Sequence, residues 1–127
     1  MSTYNNDLQD IKETIQLYID GIHNGDTSLL KKAFHPQAMM YGTSPNNITI
    51  IPIEGLYSFV ETCTPPVKSG DPHRCSVISI KQSGNMAAVE MTEEETFGHN
   101  YVNYFQLLKI EEQWIIVSKI YNATLVS

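Results

Sequence analysis

Apolar residues recur along this chain with two different periods, and the period changes once. From Asp7 to His23, Leu8, Ile11, Ile15, Tyr18 and Ile22 return at alternating steps of three and four, with Ile19 widening the stripe. That spacing is one face of an α-helix. Asp7 is placed to cap its start, Asp10 and Glu13 suit the positive end of the helix dipole, and Asn24-Gly25 marks its stop. Asp26 or Thr27 then caps a shorter helix through Phe34, whose Leu29, Leu30, Ala33 and Phe34 form the buried side. Pro36 ends it, because the residue before a proline avoids helical geometry. Residues 38–41 read as a short strand closed by Gly42, residues 43–47 as a turn, and residues 48–51 as a second strand blocked by Pro52. A third helix is expected over residues 53–63, with Ile53, Leu56, Tyr57 and Val60 on one face and Thr64-Pro65-Pro66 as its stop. Residues 68–72 read as a mobile loop.

After that loop the period becomes two. Residues 74–82, 86–97, 101–110 and 114–125 read as strands, joined by Ser83-Gly84-Asn85, Gly98-His99-Asn100 and Glu111-Glu112-Gln113. The last two strands are apolar on both faces. Tyr101, Phe105 and Leu107 alternate with Val102, Tyr104, Leu108 and Ile110, while Ile115, Val117 and Tyr121 alternate with Trp114, Ile116 and Ile120. A sheet with one wetted face alternates more cleanly with polar residues. Helices are therefore expected on one face, and a second copy of the chain on the other, giving a homodimer through the sheet. The fold class is α+β, with three N-terminal helices and a mainly antiparallel sheet.

Composition narrows the function. The chain has 127 residues, read as one domain over residues 1–127, and a net charge of −6. That charge argues against a nucleic-acid partner. No apolar run is long enough for a membrane span, and the N-terminus lacks the basic start and apolar core of a signal peptide. A cytoplasmic location is expected, with Cys63 and Cys75 as free thiols. The four histidines are scattered, with no pair at helical or strand spacing, so no metal and no cofactor is expected.

Two stretches carry a family resemblance. Tyr18-Ile-Asp-Gly-Ile-His-Asn-Gly-Asp26, with Ala33-Phe-His-Pro-Gln-Ala38, resembles the helix–turn–helix and FHPdA step of the nuclear transport factor 2-like superfamily. Asn103-Tyr-Phe-Gln-Leu-Leu-Lys-Ile110, with Gln113-Trp-Ile-Ile-Val-Ser-Lys-Ile-Tyr121, resembles its closing hairpin. Within the superfamily the chain looks most like the small bacterial group labelled "putative lumazine-binding", close to the SnoaL-like proteins. Glu112 stands where the group usually has glycine, and Asn103 where it often has aspartate. The resemblance implies a cone: three helices packed in the concave face of a curved sheet, with an open-ended pocket between them.

Enzymes of that superfamily place acids, histidines and tyrosines in the pocket, where desolvation shifts pKa values toward neutrality. Three catalytic candidates follow, each with an ordinary structural alternative. Tyr18 lies on the apolar face of helix 1, where isomerase-like relatives carry a tyrosine that donates to an oxyanion; a core tyrosine is the alternative. The aspartate base of those enzymes has no counterpart in Gln37-Ala-Met-Met-Tyr41. His35 is either a base at the pocket mouth or a fastener of its turn, and His73, which begins the first long strand, is placed where it could aim into the cone. His99 is expected in solvent, and His23 at the helix dipole. Among Glu90, Glu93, Glu94 and Glu95 one acid can enter the pocket, and alternation pairs Glu93 with Glu95 on one face. Lys109 and Lys119 are expected to pair with these acids across strands. The pocket lining is expected from Tyr41, Tyr57, Phe59, His73, Met91, Tyr104 and Tyr121, with packing or dimer contact as the alternative for each.

Three functions are consistent with these residues. The leading one is a domain that binds a small apolar or aromatic molecule, with no reaction assignable. The second is a cofactor-free isomerase, dehydratase or cyclase working by acid–base catalysis. The third is an interaction module with a filled cone. A titratable pair converging in the cone would favour catalysis, an open apolar cavity with one or two polar anchors would favour binding, and a closed cavity would favour the module.

Overall fold

The computed structural model describes residues 6–127; the first five residues of the stretch read for a targeting signal lie outside them. Helix α1 (Asp7–Asn24) and α2 (Thr27–Ala33) precede strands β1 (Phe34–Ser44) and β2 (Asn47–Pro52). Helix α3 (Glu54–Thr62) and a single turn, α4 (Pro66–Ser69), lead into β3 (Arg74–Ser83), β4 (Met86–Thr96), β5 (His99–Ile110) and β6 (Gln113–Leu125). The six strands form one sheet in the order β2-β1-β6-β5-β4-β3. Every neighbouring pair is antiparallel except β1 with β6, which run parallel. The expected α+β fold is thus observed, with the helices against the sheet's concave face.

Local signals set the element ends closely. Gly25 adopts φ 64°, and its backbone N–H closes α1 onto the carbonyls of Gly21 and Ile22. Asp26 caps α2 through the backbone N–H groups of Ser28 and Leu29. The stripe Ile11, Ile15, Tyr18 and Ile22 is buried as its spacing predicts, but Leu8 is exposed. Asp7 departs from its expected role. No side chain caps α1, and the Asp7 carboxylate accepts instead from Lys109 Nζ at 2.9 Å, Trp114 Nε1 at 3.1 Å and Gln82 Nε2 at 2.9 Å. These bonds, led by Lys109, hold its pKa down at about 2. They tie the start of the first helix to the final hairpin. Thr14 adds a second tie, donating its hydroxyl to the Trp114 carbonyl at 2.7 Å.

Two boundaries moved. Phe34 opens β1 rather than closing α2, and β1 is longer than expected because it pairs on both sides, with β2 and β6. The expected loop over residues 68–72 begins inside α4, where Pro66 sits in the first turn and Gly70 (φ 83°) ends it.

The β5–β6 turn bears on stability. Ile110 pairs with Gln113, leaving a two-residue loop in which Glu111 and Glu112 both take positive φ, 49° and 66°. Two-residue hairpins that match strand twist demand this geometry, and asparagine or glycine ordinarily supplies it. Glu112→Gly is therefore expected to stabilise the protein by about 1 kcal/mol. Urea denaturation checks this; an unchanged or lower midpoint would show that the turn is not strained.

Candidate functional site

Register decides which side chains share the concave face. One row across the sheet is Cys75 (β3), Glu93 (β4), Tyr101 (β5) and Ala123 (β6). The next is Met91, Asn103, Tyr121, Gly42 and Thr49 on β4, β5, β6, β1 and β2. A third is Phe105, Lys119, Met40 and Ile51 on β5, β6, β1 and β2. Tyr121 can lie flat across β1 only because its partner there is Gly42, where a Cβ would fall 2.0 Å from the Tyr121 ring.

Between these rows and helices α1 and α3 lies a cavity of about 580 Å³, open to solvent. Phe59, Phe97, His99, Tyr101 and Tyr121 give it an aromatic wall. Their rings meet in series. Phe59 stands edge-on to Phe97 with centroids 5.3 Å apart, and His99–Tyr101 and Tyr101–Tyr121 are each 5.9 Å apart. At the buried end are Tyr18, Glu93 and Lys119, each 2–3% exposed.

Glu93 is the hub. Its Oε1 accepts from the Tyr18 hydroxyl at 2.9 Å and from Asn103 Nδ2 at 3.1 Å. Its Oε2 lies 2.7 Å from His73 Nε2, which donates to it. His73 Nδ1 lies 3.2 Å from Nδ1 of His23, and the two rings stack nearly parallel. The half-buried His23 at the end of α1 therefore connects through His73 to an acid inside the cavity. This is a path along which a proton can move by two short steps. Burial and the negative charge of Glu93 push the Tyr18 hydroxyl well above the usual tyrosine range, so it stays a donor. Tyr101 is pushed up for the same two reasons.

His73 occupies an unusual backbone position. Its φ is 47°, a left-handed conformation that costs a non-glycine residue about 1 kcal/mol. The turn is held by its N–H to the Glu95 carbonyl at 3.3 Å, and the conformation aims the ring inward at Glu93.

Lys119 is different in kind. It is 3% exposed, yet among the described residues no oxygen accepts a hydrogen bond from its ammonium and no acid pairs with it. Its Nζ lies over the Tyr121 ring at 4.3 Å and the Tyr18 ring at 5.8 Å. Burial lowers its pKa to about 8, against the opposing pull of Glu93.

A metal can be weighed against this geometry. His73 Nε2, Cys75 Sγ and a Glu93 oxygen lie within 4.8 Å of one another, a convergence that counting histidine pairs along the sequence did not detect. Donors on one tetrahedral ion must stand more than about 3 Å apart, given bonds of about 2.0–2.3 Å. His73 and Glu93 are 2.7 Å apart and bonded to each other. Burial, then the charge of Glu93, pushes the Cys75 thiol up to about 12, so in the metal-free protein it keeps its proton. As arranged, the trio suits a hydrogen-bonded network better than an ion.

The expected site residues fall into three groups. Tyr18, Phe59 and Tyr121 line the cavity, and His73 stands directly behind Glu93. Met91 and Tyr57 are buried in the core, Tyr57 with Lys31 Nζ 5.7 Å above its ring. Tyr41 and Tyr104 point to the opposite, convex face: both pair with the exposed Ile120, one strand to either side. His35 fastens its own turn, accepting from the Gln37 N–H at 3.0 Å. His99, expected in solvent, lines the cavity instead, because the two-residue turn Phe97-Gly98 starts β5 at His99 and folds it inward. Glu93 is the glutamate that enters. An irregularity after it breaks the alternation, so that Thr96 is buried while Glu95 turns out to Arg74. Neither lysine pairs as expected: Lys109 meets Asp7, and Lys119 meets only rings.

The cone is therefore not filled by its own side chains, as an interaction module required. Residues 6–122 match the family described as "Putative lumazine-binding". The chain belongs to that family. Among solved structures, an NTF2-like protein of unknown function from Shewanella baltica is 28% identical, with a TM-score of 0.85 and coverage of 97% of this chain and 98% of that one. Another from Methylobacillus flagellatus has the same TM-score at 22% identity, covering 96% and 94%. A protein from Nostoc punctiforme at 16% identity and TM-score 0.69 is described by its cystatin-like fold. Among curated proteins, Aldolase FrzH of a Cladobotryum species is 26% identical over 116 residues, 87% of this chain and 86% of that protein. What this member of the lumazine-binding family offers a small molecule is a pocket with a polar end and an aromatic wall.

Proposed function

We propose that the cavity binds a small molecule with a flat apolar or aromatic body and a carbonyl-type oxygen at one end. The body rests against Phe59, Phe97, Tyr101 and Tyr121, and the oxygen meets Lys119 beside the Tyr18–Glu93 pair. Lys119 carries this reading. The Lys119 side chain is buried and its ammonium opens only onto the cavity, with no acceptor among the described residues, so a ligand oxygen there supplies the missing one. The cavity volume is in the ordinary range for small-molecule sites. The family description agrees, since lumazine is a flat heteroaromatic that carries carbonyl groups.

A second reading is favoured by one observation: the Tyr18–Glu93–His73–His23 chain puts titratable groups within hydrogen-bond reach inside the cavity. Such a chain suits proton transfer at a carbon beside a carbonyl. The relative named as an aldolase supports a carbonyl compound as the substrate class.

The partner on the convex face is a second copy of this chain. Ile50, Tyr41, Ile120 and Tyr104 form a row there across β2, β1, β6 and β5, and Ile50, Ile120 and Tyr104 are exposed. That continuous apolar band supports a homodimer through the sheet. The location proposed is the cytoplasm, where the free Cys63 and Cys75 stay reduced; no helix of the described residues is long and apolar enough to cross a membrane.

Intact mass spectrometry under native and denaturing conditions tests both points. The expected result is a dimer that releases a small molecule on unfolding, or that takes up an aromatic carbonyl compound when offered one. Tyr104→Glu is expected to convert dimer to monomer in light scattering without emptying the cavity. A monomeric wild type would sink the dimer, and failure to bind any of a panel of aromatic carbonyl compounds would sink the ligand reading.

A further inference from the structure

The geometry points to Lys119 as a nucleophile: its amine condenses with the carbonyl carbon of the bound molecule to form an iminium inside the cavity. The inference rests on the ligand reading above and names the chemistry of that same site.

Four observations place the reaction there. Lys119 Nζ ends in an open cavity, between the faces of Tyr121 and Tyr18, so a flat ligand against the aromatic wall presents its carbonyl carbon to the amine. Among the described residues no acid pairs with it and no oxygen accepts from it, which leaves its nitrogen lone pair free once a proton departs. Burial makes that departure easy near neutrality. Glu93 and the Tyr18 hydroxyl stand at the same end, linked through His73 to the half-buried His23, so protons can enter and leave by a route other than the ligand's.

The step balances. Net, one aldehyde or ketone and the Lys119 ammonium give one protonated imine on Lys119 Nζ and one water. The ammonium first gives one proton to solvent at the open cavity, and the free amine then adds to the carbonyl carbon as the C=O π bond opens. The oxygen takes up that proton and the second one released from nitrogen. It leaves as water when the C–O bond breaks and the C=N bond forms, so one hydrogen and the positive charge stay on the nitrogen. The iminium is a stronger electron sink than the carbonyl, and it acidifies the adjacent C–H, with Glu93 as the nearby base.

Other lysines set the comparison. Lys12, Lys31, Lys32, Lys68 and Lys81 are exposed, and Lys109 is ion-paired with Asp7. With a pKa of about 8, Lys119 holds roughly three-hundredfold more free amine at pH 7 than an ordinary lysine does.

The test uses benzaldehyde as the probe, with sodium cyanoborohydride to reduce any iminium to a stable benzylamine, followed by peptide mass spectrometry. Lys119 is expected to be benzylated at least about tenfold faster than any exposed lysine at pH 7, the margin being reduced from the free-amine ratio by restricted access. Lys119→Met should lose only that site and leave the exposed lysines labelled as before. In parallel, benzyl alcohol, which has the same ring but no carbonyl, is titrated while the amide NMR signals of Phe97, Tyr121 and Ala123 are followed. Shifts with benzyl alcohol but no preferential labelling of Lys119 would overturn the iminium and leave the ligand reading intact. No shifts and no preferential labelling would overturn both. Preferential labelling of Lys119 supports the inference whichever way benzyl alcohol behaves.

Discussion

Glu93→Ala is expected to destabilise the protein by about 3–5 kcal/mol, the range for removing one member of a buried charged network. The size follows from what the carboxylate leaves behind. The Tyr18 hydroxyl, the Asn103 amide and His73 Nε2 all spend a hydrogen bond on it, and all are buried. Each orphaned donor costs about 1–3 kcal/mol in desolvation without return. The loss is partly relieved because His73, freed from Glu93, can relax from its left-handed backbone conformation. Glu93→Gln is the control. Its amide oxygen still accepts from Tyr18 and Asn103, so the expected cost is about 1–2 kcal/mol, while the charge that could take a proton from a ligand is gone. Urea denaturation at pH 7 measures both variants. A loss under about 1 kcal/mol for the alanine variant would mean that solvent already satisfies these donors, and that the cluster is no desolvated site.

Lys119→Met is expected to act in the opposite direction, stabilising the empty protein by about 1–3 kcal/mol at pH 7. The sign follows from the pKa. In the folded protein Lys119 titrates at about 8, below its ordinary 10.5, because burial disfavours the ammonium. Between those two values the unfolded chain binds more protons, so wild-type stability rises with pH across that window. Below about pH 8 the whole penalty of the buried ammonium is present, and above about 10.5 it is gone. The upper end of the expected gain is that shift converted at about 1.36 kcal/mol per unit; the lower end allows for losing the contacts with the Tyr121 and Tyr18 rings. The gap between variant and wild type is therefore expected to be widest at pH 7 and to close as pH approaches 10.5. A gap that does not change with pH, or a variant less stable than wild type, would show that the ammonium is not desolvated. A gain in stability together with loss of ligand binding would mark Lys119 as a residue kept for function at the expense of the fold.

How the two kinds of information divide is visible in single residues. Gly25, Asp26 and the helical stripe Ile11, Ile15, Tyr18 and Ile22 were readable from sequence because their physics acts within a few residues. So was the closing hairpin, where long apolar runs surround a short polar turn. Together they determined the α+β class, while the cone and its pocket were legible only through the family resemblance that the same residues carry.

Only the tertiary structure decided which acid entered and which lysine stayed alone. Tyr18 and Glu93 meet across 75 residues of sequence, and His23 and His73 across 50. Alternation along β1 and β5 could not say which of two faces was concave, so Tyr41 and Tyr104 were read as inward when they face out. The irregularity after Glu93 then broke the alternation itself, separating Glu95 from the face it should have shared. Lys119 makes the same point from the other side: a lysine in a strand near acids reads as an ion pair until the structure shows its Nζ against two rings, with no carboxylate among the described residues at ion-pair distance. Periodicity is a local property and fixes the elements. A site is a property of register and of the faces that pack together, and those are set by contacts between residues far apart in the chain.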